Sequence, residues 1–361
     1  MSSSAQRTGI ANLPLHYGKV PPWLFGRMCQ LAREITIVTI DEFGPEEMLR
    51  RLSDPFWFQA FGCVLGYDWH SSGVTTTVCG ALKEGIRGLE KEFGLFIAGG
   101  KGRTSRKTPA EIENFGHLLK VNPSPLVYAS RMSAKVDNSA LQDGYQLYHH
   151  TFFFTADGSW AVIQQGMNED NHYARRYHWL GEKVINFVCE PEAAICSQTR
   201  GETLNLVASE STQARGIIAH IAAEEKPEKI VAQLKRLKTL TLPRRSYIAP
   251  ADIRPDRLSK IFLSTYEHKP QGFEALLALG GVGPKTLRAL SLISELIYDT
   301  PVSLQDPASY SFAHGGKDGH PYPVDRKTYD SSIEFLAQVV GRAKIGDKEK
   351  LDAFRRLKAW S

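Results

Sequence analysis

The chain has 361 residues, 42% of them hydrophobic and 23% charged, with a formal net charge of +5. This is the composition of a globular protein with room for two domains, and it excludes a disordered or fibrous chain. The small excess of positive charge permits a nucleic-acid partner without requiring one. Because no apolar run reaches the length of about eighteen residues that a transmembrane helix needs, we expect no membrane partner.

The N-terminus lacks the apolar core of a secretory signal. The five cysteines are an odd number, widely spaced and without a C-x-x-C pair, so they indicate neither a disulfide framework nor a zinc ribbon. Both observations favour a reducing cytoplasm as the location of the protein.

The first ninety or so residues are predicted to be mainly helical. Helices are expected after Pro21-Pro22, after Gly44-Pro45 and after the capping sequence Ser53-Asp54-Pro55. Apolar residues at helical spacing then predict one long helix from Ser71 to Phe93. The run GLFIAGG that follows is typical of a short buried strand.

The period changes after Tyr145. Two apolar or alternating runs flank Asp157-Gly158, a pair that strongly favours a β-hairpin. The runs VINFV and LNLVA predict further short strands, so a small antiparallel sheet is expected beside the helices. Alternation along the first hairpin strand predicts that Gln146 and Tyr148 lie opposite His149.

Helical patterns return after Ser209 and continue beyond a proline-containing segment at residues 241–256. The predicted fold class is therefore α+β. A mainly helical N-terminal part with a small antiparallel sheet, residues 1–240, is followed by an all-α domain, residues 241–361.

The segment Phe273–Leu296 reads FEALLALGGVGPKTLRALSLISEL, which predicts two helices joined by a glycine-rich turn. It resembles the helix-hairpin-helix motif, whose turn has the pattern hydrophobic-Gly-hydrophobic-Gly. Gly281 and Gly283 let the backbone approach a phosphate, while Lys285 and Thr286 begin a helix whose N–H groups favour anions. Such a site contacts the DNA backbone and predicts sequence-independent binding. The alternative is an ordinary turn between two helices.

A second resemblance is to helix-hairpin-helix DNA glycosylases. Their bifunctional members carry a Schiff-base lysine two residues after the second glycine, the position of Lys285, and a catalytic aspartate after a valine. Here Val324-Asp325 begins a later helix. The resemblance implies that Lys285 is a nucleophile and that Asp325 is a base or electrostatic stabiliser.

Two features depart from that pattern. Lys285 and Asp325 are about twice as far apart in sequence as in the glycosylases, and no C-terminal four-cysteine cluster is present. The alternative roles are a phosphate-contacting lysine and a helix N-cap. The intervening glycine-rich loop contains potential metal or nucleotide ligands: His314, Lys317, Asp318 and His320.

Polar residues also cluster in the N-terminal part. The segment GYDWHSSG supplies Asp68 and His70, and the hairpin strands bring a second group close together: Asp143, Gln146, His149, His150, Gln164 and Gln165. These residues predict a possible second site, which with a divalent metal would suit a nuclease whose carboxylates are Asp68, Asp143 and Glu169. The alternative is a set of satisfied polar residues on an exposed sheet face. No cofactor is certain, and the identity of any metal is open.

The loop GGKGRTSRK has no acidic residue and lacks the spacing of a nucleotide-hydrolysing phosphate loop. It favours contact with the DNA backbone through four basic residues: Lys101, Arg103, Arg106 and Lys107.

Several long strings, among them RRLSDPFWFQAFGCVLGYDWHSSGVTTTVCGALKEG, AGGKGRTSRKTP, SRMSAKVD, ALQDGYQLYHHTFFF and WAVIQQGMN, resemble an uncharacterised family, domain of unknown function 763. The resemblance covers most of the chain but implies no activity. The functional hypothesis is therefore a DNA-binding protein, acting in repair as a glycosylase or abasic-site lyase. The alternatives are a metal-dependent nuclease with its site in the N-terminal part and a non-enzymatic DNA-binding scaffold.

Overall fold

The computed structural model describes residues 20–67, 72–197, 200–237, 253–308 and 326–360, and the side chains of 326–333 and 358–360 lie outside this description. The helices that precede the sheet are α1 (Pro22–Phe43), α2 (Pro45–Ser53), α3 (Pro55–Val64), α4 (Gly73–Gly85) and α5 (Glu90–Phe93). Two local signals act as predicted: the first three helices begin at proline, and the Asp54 carboxylate accepts hydrogen bonds from the Phe56 and Trp57 amides at 2.8 and 3.1 Å.

The predicted long helix from Ser71 to Phe93 is wrong, since α4 ends at Gly85 and a turn precedes α5. Gly88 lies in that turn with φ +84°, a conformation that a helix does not contain.

The strands are β1 (Leu95–Lys101), β2 (Leu141–Gln142), β3 (Gln146–Thr155), β4 (Trp160–Asn168), β5 (Tyr173–Leu180), β6 (Ala194–Cys196) and β7 (Leu204–Asn205). Five of them form one antiparallel sheet in the order β1-β3-β4-β5-β6, and β2 pairs with β7. The predicted hairpin at Asp157-Gly158 joins β3 to β4, with Gly158 at φ +92°.

Two strand predictions are corrected. Residues 184–188, the run VINFV, form turns rather than a strand: the Asn186 side chain accepts the Val188 amide at 2.8 Å, and Ile185 is fully exposed. This local side-chain bond competes with strand pairing. In LNLVA only Leu204 and Asn205 are strand residues, and β5 and β6 were not predicted.

Between β1 and β2 the chain forms two α-helices, α6 (Thr108–Asn114) and α7 (Ser124–Lys135). The helices after the sheet are α8 (Thr212–Glu224), α9 (Pro227–Leu237), α10 (Pro255–His268), α11 (Phe273–Ala278), α12 (Pro284–Tyr298), α13 (Arg326–Arg342) and α14 (Asp347–Trp360). Of these helices, α6, α7 and α14 were not predicted from the sequence.

The sheet is covered by helices on both faces, not only on one. Phe152 and Phe154 of β3 pack in a cluster with residues of α6–α12, and we call this side the α12 face. Phe153 and Ile163 pack in a second cluster with residues of α1–α4, α13 and α14, and this side is the α1 face. Helices on both sides of residue 240 share the first cluster, while the predicted division into two domains stays a prediction.

Gly99 of β1 tests the packing of the sheet edge. Its φ is +88°, and a Cβ there would lie 2.3 Å from the His150 carbonyl oxygen and 2.4 Å from Thr108 Oγ1. We predict that Gly99→Ala lowers the free energy of unfolding by roughly 3 to 5 kcal/mol.

Gly88→Ala is the matched control, because Gly88 also has positive φ but, among the residues that the structure describes, no non-adjacent atom lies within 4 Å of its added Cβ. Its cost should be limited to backbone strain, about 1 to 2 kcal/mol. Urea unfolding of both variants measures the difference, and equal losses would contradict the packing at Gly99.

Candidate nucleic-acid interface

The turn between α11 and α12 has the backbone geometry that its glycines suggest. Gly281 adopts φ +81°, and Gly283 is extended at φ −144° before Pro284 begins α12. Apart from its chain neighbours, no described residue has an atom within 4 Å of a Cβ added at Gly280 or Gly283, so the described part of the protein leaves open space beside the turn. A ligand can therefore approach the backbone of this hairpin turn, residues 279–286, without a steric obstacle.

Two predicted contact residues of the hairpin turn differ in exposure. Lys285 is exposed, whereas the Thr286 side chain is 1% exposed and packs inward. At Thr286 a surface ligand would therefore meet the backbone N–H of the first helical turn rather than the hydroxyl.

The hairpin turn is held from α7 by Lys135. Its Nζ donates hydrogen bonds to the carbonyl oxygens of Leu277 and Leu279, each at 2.5 Å, and lies 3.4 Å from that of Val282. A second contact comes from β2, where Gln142 Nε2 donates to the Pro284 carbonyl at 3.0 Å. The start of α12 is thus fixed against residues that lie immediately before β3.

The predicted basic loop forms a 3-10 helix, Gly102–Lys107, at the end of β1. Its fold is maintained by short side-chain bonds: Ser105 Oγ donates to the Gly102 carbonyl at 2.6 Å, and Thr108 Oγ1 donates to the Ser105 carbonyl at 2.7 Å. We call residues 101–107 the basic turn. Its four cations, Lys101, Arg103, Arg106 and Lys107, are exposed and form no ion pair with another described residue.

The basic turn and the hairpin turn lie at the same end of the sheet. Lys101 pairs with His149 near the beginning of β3, and Gln142, which contacts the hairpin turn, lies seven positions before His149. Seven residues of extended chain span at most about 25 Å. The two elements are therefore separated by no more than roughly one turn of a DNA duplex, ~34 Å.

A cleft of about 730 Å³ opens beside the basic turn, between β1 and α4. Lys101 and Thr104 line its mouth, and Lys83 and Glu111 form an ion pair at 2.6 Å within it. Glu111 also accepts the Gly99 amide at 2.8 Å, so this carboxylate organises the end of β1 rather than neutralising the basic turn.

The predicted second site is divided between the two faces of the sheet. His150 and Gln164 point to the α12 face, whereas His149 and Gln165, the adjacent residues on each strand, point to the α1 face. Gln146 is exposed at the start of β3. An irregularity between Leu147 and His149 turns Tyr148 to the α1 face, where its hydroxyl bonds to Gln165, so the prediction that Tyr148 lies opposite His149 is wrong.

On the α12 face, His150 Nδ1 donates to Gln164 Oε1 at 2.7 Å, and the neutral ring accepts from Ser130 Oγ at Nε2 over 2.9 Å. Gln164 Nε2 in turn donates to Asp137 Oδ2 at 2.5 Å, and Trp179 Nε1 donates to the same oxygen at 2.9 Å. This is a connected buried network, in which every link satisfies a polar group that has no access to water.

A second buried carboxyl group, that of Glu192, interacts with Asp137. Asp137 Oδ1 and Glu192 Oε1 have no hydrogen-bond partner among the described residues. Burial, together with the charge of the neighbouring carboxyl, raises the pKa of Asp137 well above its ordinary value, and burial raises that of Glu192. Two buried carboxyl groups that interact resist ionising together, since neither charge is solvated.

Asp143 is engaged in ion pairing rather than open to a metal. Its Oδ2 accepts hydrogen bonds from Arg175 at 2.9 Å and from the Tyr177 hydroxyl at 2.6 Å, and Arg175 also binds Asp306 at 2.7 Å. Glu169, the second expected carboxylate, is exposed in the β4–β5 turn. In the described part of the chain, no group of three or more potential ligands is arranged to hold a metal ion.

On the α1 face, His149 Nε2 lies 2.9 Å from Thr151 Oγ1, and Gln165 Nε2 donates to the Ser72 carbonyl at 2.8 Å. His149 Nδ1 and Gln165 Oε1 are buried and have no hydrogen-bond partner among the described residues. Further along the same face, Arg176 Nε donates to His178 Nε2 at 2.9 Å.

The remaining predicted site residues lie outside the described residues: Asp68, His70, His314, Lys317, Asp318, His320 and Asp325. The pairing of Lys285 with Asp325 therefore stays a prediction. Helix α13, which begins at the residue after Asp325, packs in the cluster of the α1 face, whereas α12 belongs to the α12 face.

Sequence reasoning named Arg175 among the polar residues of its segment but did not identify Lys135, Asp137, Glu192 or Asp306. Their roles depend on partners distant in sequence: Lys135 contacts carbonyls more than 140 positions away. The only sequence signal is a pair of adjacent arginines, Arg175-Arg176, inside an otherwise apolar and aromatic run, YARRYHWL.

Three buried histidines make the free energy of unfolding depend on pH. Burial lowers the pKa of His149 to about 3 and that of His150 to about 4, and burial with the Arg176 charge lowers that of His178 well below its ordinary value. These residues bind protons in the unfolded chain near pH 6.5 but stay neutral when folded. Their contribution is complete above pH 6.5 and is lost as the pH falls.

We predict that His150→Gln makes the loss of unfolding free energy between pH 6.5 and pH 4 shallower by up to about 1.4 kcal/mol per pH unit. Urea unfolding at a series of pH values measures this slope. Ser130→Ala is the control: it removes a partner of His150 but no titrating group, so it should lower stability without changing the slope. An unchanged slope in His150→Gln would show that this ring is already protonated in the folded protein.

Every helix among the described residues is too short or too polar to cross a lipid bilayer. No curated protein and no solved structure matches the chain. The sequence does match the model of a family described as "Protein of unknown function (DUF763)" over residues 9–324, which is most of its length. The chain therefore belongs to the DUF763 family.

Proposed function

We propose that the protein binds double-stranded DNA through its phosphate backbone, without sequence preference, on a surface that combines the hairpin turn with the basic turn. The observation that carries the proposal is the location of these two elements at one end of the sheet. They lie 180 or so positions apart in the sequence, and the segment from Gln142 to His149 contacts both of them.

The hairpin turn supplies partial positive charge. The first backbone N–H groups of α12 have no acceptor within the helix, and they point in the direction in which the helix dipole is positive. Lys285 adds a full charge at the same place and is exposed. Open space at Gly280 and Gly283 allows a phosphate oxygen to reach hydrogen-bond distance of the backbone.

The basic turn supplies the larger charge. Its cations have no carboxylate partner among the described residues, so binding a phosphate breaks no ion pair found there. Each neutralised phosphate releases counterions, so affinity for duplex DNA falls as salt rises. Each contact adds about 0.9 to the magnitude of the negative slope of log affinity against log salt. Five contacts, from the basic turn and Lys285, would give a slope of about 4.5.

The proposal concerns binding alone. Base removal and strand cleavage by Lys285 and Asp325 stay predictions of the sequence, because Asp325 lies outside the described residues. A metal-dependent nuclease also stays a prediction, and no metal-ligand group among the described residues favours it.

The Lys285 contact predicts a charge-reversal effect. Lys285→Glu should weaken binding to a fluorescent duplex roughly tenfold or more at 50 mM salt and reduce the salt slope by about 1, since one phosphate contact is lost. Fluorescence anisotropy titrations at several salt concentrations measure both quantities.

Lys183→Glu is the matched control, because Lys183 is exposed just after β5, at the opposite end of the sheet from the hairpin turn. The two variants have the same net charge. Equal losses in the two would mean that net charge, and not the hairpin turn, determines binding.

Gly283 tests backbone approach separately from charge. Its extended conformation is open to any residue, and no non-adjacent residue in the described ranges lies near an added Cβ, so Gly283→Val should fold as the parent does. The new side chain would occupy the space of the phosphate and should lower affinity about tenfold, with no effect of DNA sequence.

Gly26→Val adds the same side chain at an exposed glycine of α1, where the described residues also leave space for a Cβ. It should bind DNA as the parent does. If folded Gly283→Val also retained the parent's affinity at the same salt concentration, the hairpin turn would not be the binding site.

A further inference from the structure

Lys135 stands out among the lysines whose contacts the structure describes. Its ammonium group is inserted between α7 and the hairpin turn, where its three acceptors are backbone carbonyl oxygens: those of Leu277, Leu279 and Val282. No carboxylate among the described residues forms an ion pair with it. Burial lowers its pKa, as expected for a cation removed from water.

The three oxygens converge because of how the chain turns. Leu277 lies in the last turn of α11, where carbonyl groups have no partner within the helix, and Leu279 and Val282 belong to the loop that reverses direction. Oxygens at the C-terminus of a helix carry the negative end of its dipole. Brought together without a cation, they would repel one another and lack hydrogen-bond donors.

The contacts of Lys135 also affect the side of the hairpin turn that would face DNA. Gly281 and Gly283 lie on either side of Val282, so the position of the Val282 carbonyl fixes the direction of the amides that begin α12. Gln142 fixes the same helix start through the Pro284 carbonyl at 3.0 Å. Lys135 therefore determines the shape of the hairpin turn, although it does not itself lie on the proposed contact surface.

We propose that Lys135 is a positioning residue for the backbone contact with DNA: its ammonium group occupies the site formed by the three carbonyl oxygens, here called the cation site, and keeps the hairpin turn in the shape that presents the amides of α12. The inference rests on the proposed function for its DNA-binding part. The occupation of the cation site by Lys135 rests on the hairpin geometry alone.

The test replaces the side chain in the full-length protein. Lys135→Ala deletes the atoms of n-propylammonium, which is therefore the probe, supplied at tens of millimolar. Tetramethylammonium at the same ionic strength cannot donate a hydrogen bond and serves as the control ion. Lys135→Met is the control variant, because its side chain occupies the space without a charge and leaves no room for the probe.

Two readouts are measured: hydrogen exchange of peptides covering residues 279–286 without DNA, and duplex affinity at constant ionic strength. In Lys135→Ala we expect exchange at least tenfold faster and affinity at least tenfold weaker. Propylammonium should restore both by at least threefold, while tetramethylammonium should restore neither. Lys135→Met should show the same losses without rescue.

The outcomes separate the two proposals. Normal exchange in Lys135→Ala, or equal effects of the two ions on exchange, would overturn the cation site. If the parent protein failed to bind DNA while propylammonium still restored slow exchange, the cation site would stand and the DNA-binding function would fall. If Lys135→Ala unfolded, a higher melting temperature in propylammonium than in tetramethylammonium would support the site, and equal melting temperatures would overturn it.

Discussion

Burial of the sheet on both faces is the constraint on which the rest of the structure depends. Away from the strand ends, a side chain of the central strands has no solvent-exposed face to occupy, so each polar group there must be paired inside the protein or remain uncharged. Arg175 meets this requirement with two carboxylates, and His150 with Gln164 and Ser130. The polar residues of the sheet that resemble an active site therefore make their contacts with the two helical layers and with neighbouring strands, and their role as a second site stays a prediction.

The same arrangement also positions the basic turn and the hairpin turn at the surface. The basic turn is held by strand pairing with His149 of β3, and the hairpin turn is held by the Gln142 side chain of β2 and the Lys135 ammonium of α7. Both turns are thereby attached to the same end of the sheet. A rigid, pre-formed arrangement of cations and amides binds a phosphate backbone at a smaller entropic cost than a flexible one.

Local signals made part of this fold predictable from the sequence. Asp54 before α3, Asp157-Gly158 between β3 and β4, and Gly283-Pro284 before α12 act through neighbouring residues, and each has the predicted role. The basic turn was equally readable, because its charge is contained in one short segment.

The other features of the fold could not be predicted in this way, because they depend on residues that are distant in the sequence. The strand β5 is hard to predict from YARRYHWL because two adjacent arginines suggest a surface segment. Arg175 is nevertheless buried, and it is paired with Asp143 and Asp306, more than 30 and 130 positions away. Conversely, VINFV looks like a strand, but its Ile185 is exposed. The pairs His149-His150 and Gln164-Gln165 look like one site, and only the alternation of the strands and their burial on both faces divide them.

Lysine footprinting tests the central claim most directly. The protein would be acetylated briefly with and without a DNA duplex at low salt, and the modification of each lysine would be measured by mass spectrometry. Binding by the hairpin turn and the basic turn predicts that DNA protects Lys285, Lys101 and Lys107, all exposed in the free protein, and leaves Lys183 unprotected. Protection of Lys183 together with full modification of Lys285 and Lys101 would contradict the account.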